Sequence, residues 1–208
     1  TAHMYGLDLP GYEHIDLKGE DVLVLGGGDT AMDCVRTAIR QGASTVHCVY
    51  RRDRQNMPGS PREVSHAMKE GVRFEFNSQP LRLIHENNSL VGLEIAKTRL
   101  VATEGGRATP EIIRGSEQVI PATALIFAFG YRPSPPQWLQ ALGVNMEDSG
   151  LVAMDQRLPG QTSNPAIFSA GDMVRGSDLV VTAIADARDT AQSIIQYLEM
   201  AQPQLKRA

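Results

Sequence analysis

Apolar and polar residues in the first fifty positions follow two different spacings. The run DVLVLG, residues 21–26, is nearly continuous in apolar residues, which is typical of a buried strand. Helical spacing follows it, with apolar residues at Ala31, Met32, Val35, Ala38 and Ile39. Gly42 stands where a helix cap belongs, and TVHCVY, residues 45–50, is rich in β-branched and aromatic residues. The pattern predicts a strand, a helix and a second strand, parallel to the first and reached by a right-handed connection.

Residues 61–130 predict a short helix followed by several strands. PREVSHAMKEG has Pro61 at a helix start and Gly71 at its end, and VRFEF is typical of a strand. PLRLIHENNSLVGLEIAKTRLV predicts two strands joined by an Asn-Asn-Ser turn, and EGGRATPEIIRGSEQVIPA predicts a loop and one further strand. Together these segments predict an antiparallel meander, after which ALIFAFG, residues 124–130, predicts a return to a buried strand.

The proline-rich RPSPP segment that follows marks a hinge or a domain boundary. Beyond it we expect a short helix at WLQALG, a strand at AIFSAGD and a closing helix. The closing helix keeps one apolar face, formed by Val180, Ile184, Ala187, Ala191, Ile194 and Leu198. The predicted organisation is a lead segment over residues 1–17, a first domain over residues 18–130 and a second domain over residues 131–208.

Composition and charge narrow the classes of function. The 208 residues carry a net charge of −4 with scattered Arg and Lys, which argues against a nucleic-acid partner. No run approaches the roughly 20 apolar residues of a membrane span, and no secretory signal is recognisable, so we expect a cytoplasmic protein with no membrane partner. The opening TAHM is interpreted as a cloning remnant.

The two cysteines, Cys34 and Cys48, fall in a predicted helix and a predicted strand, and the chain has no CxxC motif. This arrangement does not favour a metal, iron–sulfur or dithiol site, so we assign no metal ligands. We expect both cysteines to be buried, unreactive thiols.

The glycines after the first predicted strand carry the clearest chemical signal. GGGDTA, residues 26–31, fits the dinucleotide pattern G-x-G-x-x-A through Gly26, Gly28 and Ala31. The first glycine permits a tight turn, the second lets a diphosphate approach the backbone, and the small alanine lets helix and strand pack closely. The phosphates then face the positive end of the helix dipole. The alternative, a merely flexible turn, is disfavoured by the strand before the glycines and by the helix and strand after them.

The end of the second predicted strand indicates which dinucleotide binds. NAD sites usually place Asp or Glu there, to accept hydrogen bonds from ribose hydroxyls. This chain reads VYRRDRQ, so Arg51 and Arg52 occupy that place and can bind a 2′-phosphate through charge-assisted hydrogen bonds. The pattern therefore predicts NADP(H) as the coenzyme. A solvated charged loop is the alternative, and it suits Asp53 and Arg54 better.

The last part of the chain resembles the C-terminal flavin segment of flavoproteins with two dinucleotide-binding domains. The resemblance is carried by AGD, with Asp172 expected at the end of a strand, and by the helix expected near VVTAIADAR. It implies that Asp172 contacts a ribityl hydroxyl of FAD and that the helix N-terminus faces the flavin edge where charge accumulates on reduction. The predicted fold is α/β, with a Rossmann-like NAD(P)-binding domain, built from a parallel sheet and an antiparallel meander, and a partial FAD-binding domain at the C-terminus.

Four longer motifs resemble the family of the small (β) subunit of NADPH-dependent glutamate synthase. They are VLVLGGGDTAMDCVR, YRRDRQNMPGSPREV, FAFGYRP and AGDMVRGSDLVVTAIA, and the resemblance covers nearly all of residues 18–200. It implies that the NADPH domain is inserted within the FAD domain. It also implies these cofactor-binding residues: on the NADPH diphosphate, Gly26, Gly27, Gly28, Asp29, Thr30 and Ala31; on its 2′-phosphate, Arg51 and Arg52; near the nicotinamide, Phe129 and Gly130; and on the flavin, Gly171, Asp172, Val181 and Thr182.

The chain departs from that family in two respects. It lacks the earlier glycine-rich fingerprint for the ADP half of FAD, and it lacks the cysteine-rich region that holds iron–sulfur clusters. We therefore expect a C-terminal fragment that binds NADPH and holds FAD weakly or not at all, with the iron–sulfur clusters confined to the missing region. Its flavin-side surface lacks the segment that normally covers it and can drive self-association.

The implied reaction is hydride transfer from NADPH to FAD, in which the cofactors carry the chemistry and the protein supplies distance, orientation and charge. We nominate no catalytic residue, because His47, His66 and His85 each stand singly in a predicted element, as structural histidines do. Three hypotheses stay open. The first is the electron-input part of glutamate synthase, whose large (α) subunit converts glutamine and 2-oxoglutarate to glutamate. The others are a related NADPH-dependent FAD oxidoreductase subunit with another acceptor, or an isolated, non-catalytic NADP(H)-binding module.

Overall fold

The structure, a computed structural model, describes residues 15–102, 108–155 and 157–205. The chain divides between Gly130 and Tyr131 into two compact units. The first unit contains β1 (Asp21–Leu25), α1 (Asp29–Arg40), β2 (Thr45–Val49), α2 (Pro61–Lys69), β3 (Arg73–Glu75), β4 (Ser78–Glu86), β5 (Ser89–Val101), β6 (Thr109–Ile112), β7 (Gln118–Pro121) and β8 (Ala124–Phe127). The second unit contains α3 (Gln137–Ala141), α4 (Asp172–Arg175) and α5 (Val180–Leu205).

The first unit is built on a four-stranded parallel sheet in the order β3-β2-β1-β8. Leu25, the last residue of β1, is the Cα partner of Val49 in β2 and of Phe127 in β8. The three strands therefore end at the same edge of the sheet. This arrangement confirms the predicted Rossmann-like domain with its strand–helix–strand start.

The two faces of β1 pack against different layers. On one face, Val22 and Val24 are fully buried with the inner residues of α1 and α2. On the other face, Leu23 and Leu25 pack against residues of the antiparallel sheet, among them Leu93. Since successive side chains of a strand point to opposite faces, an uninterrupted apolar run is what a strand covered on both faces requires.

The antiparallel part has β5 at its centre, and the β4–β5 hairpin turns at Asn87 and Asn88, whose φ angles are 47° and 64°. The turn predicted at Asn-Asn-Ser is therefore confirmed. Asparagine suits it because asparagine tolerates the left-handed region better than most residues. The sequence predicts one strand after this hairpin, and that prediction is wrong. The 13 residues of β5 are long enough to pair with β6 near one end, at Thr98–Val101, and with β7 further back, at Gly92–Ile95.

The second unit corrects a further prediction, the strand at AIFSAGD. This segment forms only an isolated bridge, between Gln161 and Phe168, and Asp172 begins the short helix α4 instead of ending a strand. In the described part of this unit, extended segments meet only through isolated bridges. Without a neighbouring strand to supply a ladder of hydrogen bonds, local β-propensity does not produce a strand.

The apolar face predicted for the closing helix exists in α5, but it is exposed. Val180 is 74% exposed, Ile184 48% and Leu198 54%, whereas over residues 180–200 of α5 the buried side chains are the polar Thr190 and Ser193. The small core of this unit is formed elsewhere, around Leu139, Val144 and Val152. In the described ranges, no helix is long and apolar enough to cross a bilayer.

Candidate functional site

Three of the predicted site segments meet at the carboxyl edge of the parallel sheet. The N–H of Gly26 donates to the carbonyl of Val49 at 3.2 Å, and the N–H of Ala128 donates to the carbonyl of Leu25 at 2.8 Å. The glycine turn after β1, the arginines after β2 and the residues after β8 are therefore neighbours. In open α/β sheets, this edge is where ligands bind.

The structure restricts the three glycines of the turn to different degrees. Gly26 has a φ of +143°, and a Cβ there would collide with the carbonyl of Ala128. A Cβ on Gly27 would lie 2.6 Å from the ring of Tyr50. A Cβ on Gly28 would meet nothing within 4 Å, and its φ of −87° is open to any residue. The packing of the protein thus requires the first two glycines, whereas the third borders open space.

The N-terminus of α1 opens onto the same space. Gly28 is its N-cap residue and has no side chain to cap the helix, so the first N–H groups of α1 are left for another acceptor. The carboxylate of Asp29 does not cap the helix. Its Oδ1 accepts a hydrogen bond from the N–H of Ser60 at 2.8 Å instead. Ala31 is fully buried, which confirms the expected close packing of helix on strand. This geometry suits an anion at the helix N-terminus.

The two cysteines differ in burial, and both have a raised thiol pKa. Cys48 is buried beneath the turn, where its Sγ donates to the carbonyl of Gly26 at 3.3 Å, and burial raises the pKa of its thiol to about 12. Burial also raises the pKa of the half-buried Cys34 thiol. The prediction of burial is confirmed for Cys48 and is wrong for Cys34, which is only partly buried. The raised pKa of each thiol favours the protonated, unreactive form at neutral pH.

Arg51 and Arg52 follow β2 directly. Arg51 is exposed, whereas Arg52 is partly buried, and its Nε and Nη1 are shielded from solvent without a hydrogen-bond acceptor in the described part of the chain. The neighbouring Asp53 does not neutralise it through a hydrogen bond. Instead its carboxylate accepts from the side-chain and backbone N–H groups of Asn56, which hold the pKa of Asp53 below its usual range. Two N–H groups of Arg52, on Nε and Nη1, are therefore shielded from water without the acceptor that such groups need.

The loop over residues 53–60 folds onto the glycine turn. The hydroxyl of Tyr50 donates to the carbonyl of Asn56 at 2.8 Å, and the N–H of Gly59 donates to the carbonyl of Gly27 at 2.8 Å. A Cβ on Gly59 would lie 3.0 Å from that same carbonyl oxygen. The loop that follows Arg51 and Arg52 is thereby tied to Tyr50 and to the glycine turn.

Phe129 and Gly130 follow β8 at the same edge of the parallel sheet. Phe129 is 70% exposed and its ring lies 5.6 Å from the ring of Phe127, which is itself 63% exposed. The end of β8 is thus open to solvent, and the prediction of a buried strand is wrong for Phe127. Gly130 has a φ of +84°, a left-handed conformation that favours glycine, where the first unit ends.

The four residues predicted on the flavin belong to the second unit. Gly171 has a φ of +67°, and a Cβ there would lie 3.3 Å from the Cβ of Ala183, so glycine lets this turn approach α5 closely. Asp172 is exposed and lines a cleft of about 460 Å³. Val181, also exposed, and Thr182 lie in the first turn of α5. The structure thus brings Gly171 close to the start of α5.

An ion pair fixes the short helix α4 on α5. Both Nε and Nη2 of Arg175 donate to the carboxylate of Asp186, at 3.0 and 2.6 Å. This pairing, with a further hydrogen bond from Gly171, lowers the pKa of Asp186. The pair holds the AGD turn in place without using Asp172, whose carboxylate remains on the surface of the cleft.

Residues 8–187 match the family described as pyridine nucleotide-disulphide oxidoreductase. The chain belongs to this family. Its fold agrees with that of a solved structure, FprA of Mycobacterium tuberculosis in complex with NADPH, with a TM-score of 0.70 over 91% of this chain and 55% of that one. The two sequences are 17% identical, so this comparison concerns the fold alone.

Among similar curated proteins, the small chain of NADPH glutamate synthase from Halomonas elongata is 48% identical over 95% of this chain. The putative oxidoreductase AegA of Escherichia coli is 49% identical, also over 95% of the chain. The expected resemblance to glutamate synthase small subunits is confirmed. The chain spans 42% of the first relative and 31% of the second.

Several residues that shape this candidate site are missing from the sequence-based prediction. The ring of Tyr50 leaves no room for a Cβ at position 27, and Gly59 donates its N–H to the carbonyl of Gly27. The N–H of Ser60 donates to the carboxylate of Asp29. The Pro-Gly pair in NMPGS indicates a turn, but nothing local shows that the turn closes onto residues thirty positions earlier.

Proposed function

We propose that the first unit binds NADPH, with the diphosphate against Gly28 and the N-terminus of α1, and with the 2′-phosphate at Arg51 and Arg52. One observation carries the proposal: open space at Gly28 and an uncapped helix N-terminus lie at the same sheet edge as the acceptor-poor guanidinium of Arg52. An anion there supplies acceptors for both. The residues present fit this coenzyme. Gly26, Gly27 and Ala31 shape the turn, and Asp29 and Thr30 form the first turn of the helix.

Asp29 has a narrower role in this proposal than that of a diphosphate ligand. Its carboxylate is occupied by the N–H of Ser60, and a negative charge directed at a diphosphate is repulsive. We assign it the task of holding the loop over residues 53–60 beside the turn. The diphosphate itself is bound by backbone N–H groups.

The second unit is proposed to contribute the C-terminal part of a flavin site. Gly171 borders the start of α5, where Val181 and Thr182 lie, and the exposed carboxylate of the next residue, Asp172, can accept from a hydroxyl group. When bound, NADPH and FAD would supply the chemistry of hydride transfer. The role of this chain would be to bind and orient them. Phe129 and Gly130 are assigned to the nicotinamide side. FAD is expected to bind weakly or not at all, which the flavin absorbance of the purified chain reports.

In the whole protein, we propose that this part is the electron input of a glutamate synthase, an NADPH-dependent flavoprotein whose acceptor lies in a large subunit. The supporting observation is the 48% identity to a small chain of that enzyme. The iron–sulfur clusters remain a proposal for the region of the relatives that this chain does not match, and the cytoplasmic location likewise stays a prediction. The comparable identity to AegA favours a second candidate, an oxidoreductase subunit with another acceptor. Co-purification of the full-length protein with a large subunit distinguishes the two.

Calorimetric titration of the purified chain tests the coenzyme proposal. NADPH is expected to bind at least about tenfold more tightly than NADH, a difference of about 1.4 kcal/mol, because the 2′-phosphate adds charge-assisted hydrogen bonds. The matched ligand pair differs only in that phosphate. Equal affinities would remove the role given to Arg51 and Arg52.

The exposed apolar face of α5 leads to a second expectation, that the chain as it stands pairs with a second copy of itself. The face is continuous over Val180, Ile184 and Leu198, and the chain covers 42% of its relative's length, so the relative has ample chain with which to cover the face. Replacing Ile184 and Ile194 by glutamine is expected to weaken dimerisation at least about tenfold, because two exposed aliphatic side chains of the face no longer bury on pairing.

Sedimentation velocity over about a hundredfold range of concentration measures this self-association by mass action. A matched control replaces two exposed isoleucines of the first unit, Ile112 and Ile113, by glutamine. That control is expected to dimerise like the unaltered chain. A chain that stays monomeric throughout the range contradicts the expectation.

A further inference from the structure

Three consecutive backbone carbonyls in the arginine segment are held by donors from the rest of the first unit. Two donors are backbone N–H groups at the β3–β4 connection, and the third is a side-chain hydroxyl on β5. The three pairs are Ser78 N to Tyr50 O at 3.0 Å, Thr98 Oγ1 to Arg51 O at 2.8 Å, and Asn77 N to Arg52 O at 3.0 Å. The segment that carries both guanidiniums is therefore fixed through its backbone.

Thr98 is the side-chain member of this set, and it is itself rigid. It is 5% exposed, lies in the long strand β5, and its N–H donates to the carbonyl of Asn77 at 2.7 Å. Asn77 has a φ of 50°, the left-handed turn that directs its N–H and that of Ser78 toward the arginine segment. A threonine hydroxyl has a single proton to donate, and here that proton goes to the carbonyl of Arg51.

The bond from Thr98 controls the peptide that joins the two arginines. Losing it leaves the carbonyl of Arg51 without its donor and lets this peptide rotate about ψ of Arg51 and φ of Arg52. Because a guanidinium lies at the end of a long side chain, a modest backbone rotation displaces it far more than it displaces the Cα atom. Both guanidiniums would then have to be ordered again when an anion binds.

We propose that Thr98 is a positioning residue for coenzyme specificity: its hydroxyl fixes the peptide between Arg51 and Arg52 so that both guanidiniums face the 2′-phosphate. The inference rests on the proposed NADPH function and adds a part for the antiparallel sheet. Thr98 makes no contact with the coenzyme in this scheme and acts only through the arginines. Its loss therefore affects a ligand that has the 2′-phosphate and spares one that lacks it.

Thr98→Val tests the inference, because it keeps the β-branched shape and removes the hydroxyl. Calorimetric titration of the chain is expected to show NADPH bound about five- to tenfold more weakly and NADH unchanged within about twofold. Thr98→Ser restores the hydroxyl and is expected to restore the NADPH affinity. Thr45→Val is the matched control, since the Thr45 hydroxyl donates to the Asp21 carboxylate at 2.7 Å, at the opposite end of β2, and neither affinity is expected to change.

The outcomes separate this inference from the function on which it rests. A preference for NADPH in the unaltered chain that Thr98→Val retains overturns the inference alone. So does an equal loss of NADPH and NADH affinity, which indicates a merely structural role. If the unaltered chain shows no preference, the coenzyme assignment itself fails and the inference falls with it. Should the valine variant not fold, the comparison of Thr98→Ala with Thr98→Ser gives the same readout.

Discussion

Replacing Arg51 and Arg52 together by alanine is expected to abolish the preference for NADPH over NADH. The NADPH affinity falls about tenfold to a hundredfold, or about 1.4–2.7 kcal/mol, because the 2′-phosphate loses its charge-assisted partners. NADH binding is expected to stay within about twofold of its original value, since the diphosphate contacts lie in the glycine turn. Calorimetric titration with both coenzymes measures the two affinities on the same sample.

The single variants should differ from one another. Arg52→Ala removes a guanidinium whose Nε and Nη1 are shielded from water without an acceptor, so the unliganded protein loses an unfavourable feature and the NADPH complex loses a strong bond. Arg51 is exposed, and a water-solvated guanidinium gains less from each new hydrogen bond. We expect Arg52→Ala to have the larger effect on NADPH.

Arg54→Ala is the matched control for charge. Arg54 is exposed in the loop that follows Arg51 and Arg52, and it is not assigned to the phosphate. Its replacement changes the net charge by the same amount as either single variant. The Arg54→Ala variant should prefer NADPH over NADH as strongly as the unaltered chain does. A double variant that still prefers NADPH, or an Arg54→Ala variant that loses the preference, moves the 2′-phosphate site elsewhere.

Gly28→Ala is expected to weaken both NADPH and NADH at least about tenfold while the protein remains folded. The new methyl group enters open space, so it meets no protein atom within 4 Å, but it occupies the side from which a diphosphate reaches the backbone. The free energy of unfolding should fall by only about 1 kcal/mol or less, the usual cost of alanine at a helix N-cap. Thermal unfolding and titration together test this separation.

Gly27→Ala provides the contrast at the next position. Its methyl group would lie 2.6 Å from the ring of Tyr50, and that ring cannot retreat easily because its hydroxyl is bonded to the carbonyl of Asn56. Overpacking of this kind costs about 1–3 kcal/mol of stability. If Gly28→Ala instead proves the less stable of the two, or binds both coenzymes normally, the open space at Gly28 is not the diphosphate side.

Local signals carried much of the fold and the site. The run from Val22 to Leu25 followed by glycines and a helical pattern predicts the first strand, turn and helix, because each of these elements depends on residues close in sequence. The charge of Arg51 and Arg52 at the end of β2 is likewise visible in the sequence. The Asn87–Asn88 turn needs only the tolerance of asparagine for positive φ.

Other features depend on which segments become neighbours, and the sequence-based prediction failed there. AIFSAGD has the composition of a strand but finds no ladder partner in the described part of its unit, and β5 accommodates two short strands where one is predicted. The apolar pattern of α5 correctly predicts a face, but only the structure shows that this face is exposed while Thr190 and Ser193 are buried. A hydrophobic pattern specifies which side of a helix avoids water, not what covers it.

The sequence by itself determined the strand–turn–helix, the choice of glycine at the turn and the pair of arginines, since these follow from spacing and charge within short stretches of chain. Tertiary structure alone decided that Tyr50 and Gly59 close the turn and that Thr98, 47 positions beyond Arg51, holds the arginine segment. The physical reason is that a hydrogen bond or a close packing contact needs only proximity in space. Proximity between segments far apart in sequence depends on how whole elements pack together, which the spacing and charge of a short stretch do not specify.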